Sequence, residues 1–372
     1  MKHAQNVRAA SGEILASIKR EYGELLRSPS FSLETLFSPE NFHFDDFCTT
    51  FSPHPQSEEL KEIIRAFGEA HDIWMANAKH HITCALFLYP TADFERMHTM
   101  MKNLLLGFYL NDTMGRDIFK SLSAEQQEAS RKMIRNMAAL DETLGLSKDA
   151  HPLERINADI LREFRDHSPK KWFREFLRDY CHHLDVTHRD GNADTLGFIP
   201  ALDEYITLRC HYAGVHHIVR WIEYSDAQFL DWPLLRSAGI AQKLKRLHWV
   251  TAAFEALSND LFSFEKEVID CDADSNLVMV LALNEPGLSL PDALFRSCDI
   301  VRNLLAETIG LMEDIRKEMG TAMPLLDAHL DGVARCVKAG WMWHCHSKRY
   351  KRPVSIWKET TLVSSLLSYS GI

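Results

Sequence analysis

Apolar residues recur along most of this chain at intervals of three and four, the spacing that places them on one face of a helix. The pattern predicts helices over residues 1–27, 58–79, 92–118, 124–145, 153–164, 169–186, 198–223, 234–268, 276–283, 291–318 and 322–347, with a looser Ser-, Pro- and Phe-containing stretch over 28–55. Ser289-Leu290-Pro291-Asp292 reads as a helix start. It offers a capping hydroxyl, a proline where no N–H is needed and an acid near the positive end of the helix. Leu294, Cys298, Val301, Leu305, Ile309 and Met312 then keep to one face. No segment alternates with period two for long, so sheet is expected to be absent or trivial. Gly and Pro number 16 and 13 of 372, roughly 4% and 3% against a usual 7% and 5%, which favours long uninterrupted helices. With no fixed-period repeat and no low-complexity linker, one all-α unit with a mobile amino-terminal portion is the simplest reading.

Within that helical background Asn259, Ser263 and Glu267 stand at i, i+4 and i+8. On a helix they form one slowly drifting stripe of oxygen-bearing side chains. A long Glu at the C-terminal end reaches back toward the short Ser and the Asn. Mixed oxygen ligands of this kind suit Mg²⁺, which keeps some water and takes further ligands from a substrate phosphate. Leu257, Leu261 and Phe264 bury the other faces, and Lys266 sits beside the stripe. The segment resembles the second metal motif of class I terpene synthases, N-D-x-x-S-x-x-K-E in the microbial form, with every defining position filled.

A second constellation follows a helix that is apolar all round, Leu104-Leu105-Leu106-Gly107-Phe108-Tyr109-Leu110, and such a helix is buried. It runs into Asn111-Asp112-Thr113-Met114-Gly115-Arg116-Asp117. Asp112 therefore emerges at the rim of a core, where a lone carboxylate is costly unless a metal or cation meets it. The segment resembles the aspartate-rich motif of the same family, which usually carries two adjacent acids. Two registers are open: Asn111-Asp112 in the paired slot, or Asp112 leading with Thr113 in place of the second acid and Asp117 as the distal one. The second is preferred because it keeps an acid at each end, and Asp112 is the principal ligand in both.

Two further segments carry the resemblance. Tyr205 to Gly214 is similar to the family's Y-x-x-x-R-x-x-x-x-G, in which the Arg, here Arg209, recognises diphosphate and a helix break near the Gly, here Gly214, carries that event to the pocket. Arg presents a forked set of donors that matches phosphate oxygens, and Gly permits the break. Tyr212 stands where the family often has Asp. Trp343 lies six residues before Arg349-Tyr350, similar to a late family pattern in which Arg and Tyr close over the diphosphate and Trp walls the pocket. The resemblance thus runs from residue 108 to 350. It implies an α-helical class I terpene synthase domain over 56–352, with 1–55 packing on or capping it and 353–372 as a C-terminal tail. It also implies Mg²⁺, three ions with diphosphate bound, held by Asp112, Asp117, Asn259, Ser263 and Glu267. Arg209, Lys266, Arg349 and Tyr350 are implied to bind and ionise the diphosphate, with Phe108, Tyr109, Gly214 and Trp343 at the pocket.

Composition narrows the alternatives. A net charge of -10 argues against a nucleic-acid binder, which needs a basic face. Eight Cys without a C-x-x-C pair point to reduced thiols and a cytoplasmic setting. Met1 to Arg27 carries Lys and Glu among its apolar positions, so it reads as an amphipathic helix and not a signal peptide, and no apolar run is long enough to span a membrane. Asp270-Cys271-Asp272-Ala273-Asp274 begins like a calcium loop, but Ser275 replaces the turn Gly and Leu281 the bidentate Glu. The His pairs at 80–81, 182–183 and 216–217, and His344 with His346, are expected in surface or packing roles. The expected function is cyclisation of an acyclic prenyl diphosphate, C15 before C20, by a monomer or homodimer. A chain-elongating prenyltransferase and a non-catalytic helical binding protein of the same fold are the rivals.

Overall fold

The computed structural model of the chain describes residues 2–27, 31–119, 121–188, 191–319 and 323–362, without the side chains of 2–6, 116 and 117. Among them the only extended pairing is two isolated bridges, Phe31 with Trp357 and Arg352 with Thr361, so the chain is all-α. The first half supplies Lys2–Leu25, Ser57–Ala70, Ala78–Leu88, Phe94–Met114, Ala124–Ala138, Pro152–Asp166 and Lys170–Thr187 as its longer helices. The second half supplies Leu202–Tyr212, Val215–Ser225, Ala241–Phe264, Leu277–Asn284, Leu290–Met319 and Pro324–His346. None of the described helices is long and apolar enough to cross a membrane.

Local chemistry sets the ends. Asp93 caps Phe94–Met114 through the Arg96 N–H, Ser123 and Gln126 form a reciprocal capping box, and Asn276 caps Leu277–Asn284 through the Val278 N–H. Ser289 accepts from the Asp292 N–H at 3.2 Å, as its sequence suggests. The expected 58–79 helix stops at Ala70, and a further helix, Ala78–Leu88, runs on through residues to which the pattern assigns no helix. Ile82, Ala85 and Leu86 of that helix are fully buried. Its other faces are also covered, so it has no polar side to reveal a period. The expected 198–223 helix divides at Gly214, whose φ of +70° is left-handed. The expected 234–268 helix divides at Gly239, φ +77°, and beyond Phe264 widens into a π turn over Glu265–Asp270.

The Ala241–Phe264 helix is the centre of the bundle. It packs on Leu202–Tyr212, Val215–Ser225, Leu277–Asn284, Leu290–Met319 and Pro324–His346. Its first half joins an apolar core that includes Leu105, Phe164, Phe176, Trp221 and Leu330. Its second half joins a second core shared with Ile18, Tyr22, Leu33, Phe37 and Trp357 from both ends of the described chain. Those ends are stitched together by main-chain bonds, Phe31 N–H to the Ile356 carbonyl at 2.8 Å and Lys358 N–H to the Phe31 carbonyl at 2.7 Å.

Glu265, in the π turn, fastens both ends to the central helix. Its Oε1 accepts from the Tyr22 hydroxyl at 2.8 Å and the Ile356 N–H at 3.0 Å, and its Oε2 from the Ser355 hydroxyl at 2.5 Å. A buried carboxylate with three donors is satisfied, and removing it takes the acceptor from the Tyr22 hydroxyl and the Ile356 N–H, while the Ser355 hydroxyl keeps Thr360 at 2.7 Å. Glu265→Ala should lower the free energy of unfolding by about 3 kcal/mol, and Tyr22→Phe by about 1 kcal/mol. Denaturant titration of the three proteins checks this, and a Glu265→Ala protein as stable as wild type would remove Glu265 from that role.

Candidate active site

The C-terminal ends of Phe94–Met114 and Ala241–Phe264 and the segment after Pro324–His346 converge on the mouth of a cavity of about 260 Å³. Arg209, Asn259, Glu267, Arg349 and Tyr350 line it at the charged end, and Phe108 and Trp343 line its wall. The Phe108 and Trp343 rings lie 5.9 Å apart, and Trp343 meets Tyr350 edge-on at 5.8 Å. Tyr109 is not among the lining residues and packs on the first core instead. Adjacent residues on a helix point about 100° apart, so Phe108 and Tyr109 do not share a wall. Gly214 also lies outside the lining, but its neighbours Ala213 and Val215 belong to it. The lining does not include Lys266 either, although Glu267 beside it does belong.

The second metal motif rests on a buried network. Arg209 donates from Nε to Asp260 Oδ1 at 2.6 Å and from Nη2 to Asn259 Oδ1 at 2.7 Å. Asp260, completely buried, also accepts from the Tyr205 hydroxyl at 2.6 Å and the Leu277 N–H at 3.0 Å. Although burial disfavours the charged guanidinium, Asp260 raises the Arg209 pKa above its already high value. The Asn259 amide donates to the Tyr350 hydroxyl at 2.8 Å and to His344 Nε2 at 2.9 Å. Burial holds His344 neutral, its pKa lowered to about 3. Asn276 Nδ2 reaches both the Asp260 carbonyl, at 2.9 Å, and Glu267 Oε2, at 3.1 Å.

An α-helix turns four residues through about 400°, so an i, i+4 stripe drifts by about 40° per step. The π turn that begins at Glu265 widens the helix between Ser263 and Glu267. Glu267 consequently faces the cavity beside Asn259. The donor set can be tested for a cation on one observation: Ser263 Oγ is buried and has no hydrogen-bond partner. A buried hydroxyl left unpaired is costly, and a metal ligand position accounts for it. Asn259 Oδ1 keeps a second lone pair beyond the one Arg209 uses. The residues fit a hard, oxygen-coordinated ion. Among the described residues no group of three or more His, Cys, Asp or Glu is placed to hold a metal ion; this donor set takes an amide and a hydroxyl for two of its members.

Across the mouth, Asp112 is held by Arg349 in a two-pronged pair, Nη2 to Oδ1 at 2.8 Å and Nη1 to Oδ2 at 2.9 Å. Asn111 Nδ2 adds a bond to Asp112 Oδ1 at 2.9 Å. Thr113 turns its hydroxyl back to the Tyr109 carbonyl at 2.6 Å, and Asn111 lines the cavity. The Asp117 side chain lies outside the described residues.

Inside the mouth the chamber carries no charge from its histidines. His183, His188 and His217 all line it, and burial pushes each below its usual value, His183 and His188 to about 4. His81 stacks on Phe108 at 4.1 Å and is lowered to about 4, first by burial and then by Arg349. Packing roles were expected for these pairs; for His183, His217 and His344 the packing is against the cavity itself. The sequence reading passed over Asp260 and Glu255. Asp260 could have been singled out, since an acid one residue off a buried stripe needs a partner.

A helical bundle that sets Asp112 and the Asn259, Ser263 and Glu267 stripe about the charged mouth of an aromatic-walled cavity has the architecture of a class I terpene synthase. The family described as terpene synthase family 2, C-terminal metal binding, matches residues 102–307, more than half of the sequence, and the chain belongs to it. Sesquiterpene synthase 1 of Postia placenta is 27% identical over 180 residues, 46% of this chain and 49% of that protein. Germacrene A synthase of Nostoc punctiforme is 30% identical over 201 residues, 52% of this chain and 58% of its own. The chain thus spans about half the length of these curated relatives. A solved cucumene synthase variant shares the fold with a TM-score of 0.65 at 18% identity, over 81% of this chain and 98% of that one.

Burial opposes ionisation of Asp112, but the bonds and charge of Arg349 outweigh it and hold the carboxyl below its usual range. A lowered pKa adds stability above the unfolded value, and that stability is lost as pH falls through the folded one. Asp112→Asn should therefore cost about 1 kcal/mol at neutral pH and progressively less below about pH 4. Melting curves across that range check it, and a difference that stays constant with pH contradicts the assignment.

Proposed function

We propose that this protein ionises an acyclic prenyl diphosphate with the help of Mg²⁺ and cyclises the resulting carbocation to a terpene hydrocarbon or alcohol. The observation that carries the reading is the division of the cavity into a mouth of fixed charges and hydrogen-bond donors and an uncharged, aromatic-walled interior. The metal-binding family description supports divalent ion use. Asp112 on one side and Asn259, Ser263 and Glu267 on the other would hold Mg²⁺, three ions when diphosphate is present. When bound, the ions supply charge neutralisation of the leaving diphosphate.

The chain's own residues do the rest. Arg209 and the Tyr350 hydroxyl already stand on either side of the Asn259 amide, so an anion arriving there meets oriented donors. Arg349 exchanges Asp112 for diphosphate oxygens, which frees the Asp112 carboxylate for the metal and draws the segment after Pro324–His346 over the mouth. Lys266 adds a cation at the rim. These interactions strengthen as the leaving group gains charge, which is what accelerates ionisation. Phe108 and Trp343 present ring faces to the cation, and closure keeps water out. The segments around Tyr22 and Ser355–Ile356 belong to the same catalytic unit in this reading, since Glu265 ties both to the helix that carries Asn259.

C15 is the favoured chain length, in keeping with the sesquiterpene synthase among the relatives, and C20 the next. Purified protein with Mg²⁺ and geranyl, farnesyl or geranylgeranyl diphosphate should release diphosphate and yield a cyclic product by gas chromatography. A longer prenyl diphosphate formed with isopentenyl diphosphate would establish elongation instead, and no turnover of any substrate would refute an enzymatic role. Glu267→Ala should reduce turnover by about 100-fold or more while leaving the helical signal intact. An active Glu267→Ala protein contradicts the metal assignment.

A further inference from the structure

Glu255 lies on the Ala241–Phe264 helix one turn before Asn259, so its side chain enters the same cavity about 6 Å further from the mouth. Its surroundings are apolar or neutral. Cys84 and Cys336 also line the cavity there, and burial raises both thiols, Cys84 to about 12. Glu255 Oε1 is buried and has no hydrogen-bond partner. Burial alone pushes the carboxyl well above its usual range, with no nearby cation to bring it down. The facing helix makes room for the group: a Cβ at Gly340 would collide with the Glu255 carboxyl. Glycine is unfavourable in the interior of a helix such as Pro324–His346, and accommodation of this carboxyl accounts for it.

An unpaired acid is a poor structural element in an apolar wall. It is well suited to moving a proton. A neutral acid leaves the first cation free and holds a proton until one is needed. We propose that Glu255 is the internal proton donor of the cyclisation, giving its proton to a carbon–carbon double bond of a neutral cyclic intermediate and later taking one back from the cation that results.

The inference rests on the function proposed above, and its steps balance. Loss of diphosphate breaks the C–O bond, the diphosphate keeping the electron pair, and ring closure follows. A C–H proton passes to a diphosphate oxygen at the mouth, leaving a neutral cyclic polyene. The Glu255 O–H proton then adds to one alkene carbon, whose π electrons form the new C–H bond, and the cation appears at the neighbouring carbon. After a second closure the Glu255 carboxylate removes an adjacent proton, the C–H electrons become the final double bond, and the acid is restored.

In D₂O the wild-type product should carry one carbon-bound deuterium, read by mass spectrometry. Glu255→Gln should release diphosphate within about threefold of the wild-type rate but form the deuterated product about 100-fold less, accumulating an undeuterated polyene. Infrared difference spectra of the metal-free proteins at neutral pH should show the carbonyl stretch of a protonated carboxylic acid in wild type and not in Glu255→Gln. A wild-type product without carbon-bound deuterium overturns the proposal even if the variant does not fold. An unchanged product from Glu255→Gln, or an ionised Glu255 in the spectrum, overturns it too while leaving the synthase reading in place. Absence of diphosphate release by the wild type overturns both.

Discussion

Arg209 and Asp260, a guanidinium and a carboxylate taken out of water together, set the register in which the rest of the site is built. Such a pair is favourable only when every remaining acceptor is satisfied, since desolvating two ions otherwise exceeds their attraction. Here Asp260, on Ala241–Phe264, receives Arg209 and the Tyr205 hydroxyl from Leu202–Tyr212 and the Leu277 N–H from Leu277–Asn284. Three helices are thereby fixed relative to one another at the level of single atoms. The second prong of Arg209 then falls on Asn259, and Asn276 carries the same order on to Glu267. The Asn259 to Glu267 stripe is oriented by hydrogen bonds from behind, while Asn259 and Glu267 line the cavity and Ser263 lies outside its lining.

The same constraint separates two electrostatic environments that lie within a few helical turns. Formal charge is concentrated at the mouth, where Arg209 pairs with Asp260 and Arg349 with Asp112. Further in, desolvation favours the uncharged forms of His183, His217 and Glu255. A charged leaving group and a cation that must not be quenched require this division. The Arg349–Asp112 bond also means that the ligand-free mouth is self-neutralised, so binding has to break a pair as well as make contacts.

Legibility in the sequence followed exposure. Helices with a polar face, such as Pro152–Asp166 and Leu290–Met319, were visible as periods within a residue or two. Ala78–Leu88 was invisible because it is covered on all sides and lacks a period. Gly214 and Gly239 interrupt segments whose apolar spacing runs on across them, so each was read as a single helix. At the site, Asn259, Ser263 and Glu267 were legible because helical spacing alone puts them together, and Arg209, Arg349 and Asp112 through a resemblance. Which residues face the cavity was not legible. Phe108 and Tyr109 are equally apolar neighbours, and Glu255 looks like any acid on a helix until Gly340 is seen against it.

The central claim is that donors prepared by Arg209 and a cation held by the two facing motifs bind diphosphate together. Titration calorimetry of inorganic diphosphate, with and without Mg²⁺, measures that directly and needs no knowledge of the hydrocarbon chain. Tight binding with Mg²⁺, strongly weakened without it and in Asn259→Ala, is the predicted result. Diphosphate binding of equal strength in the absence of Mg²⁺, or undiminished in Asn259→Ala, would contradict the account.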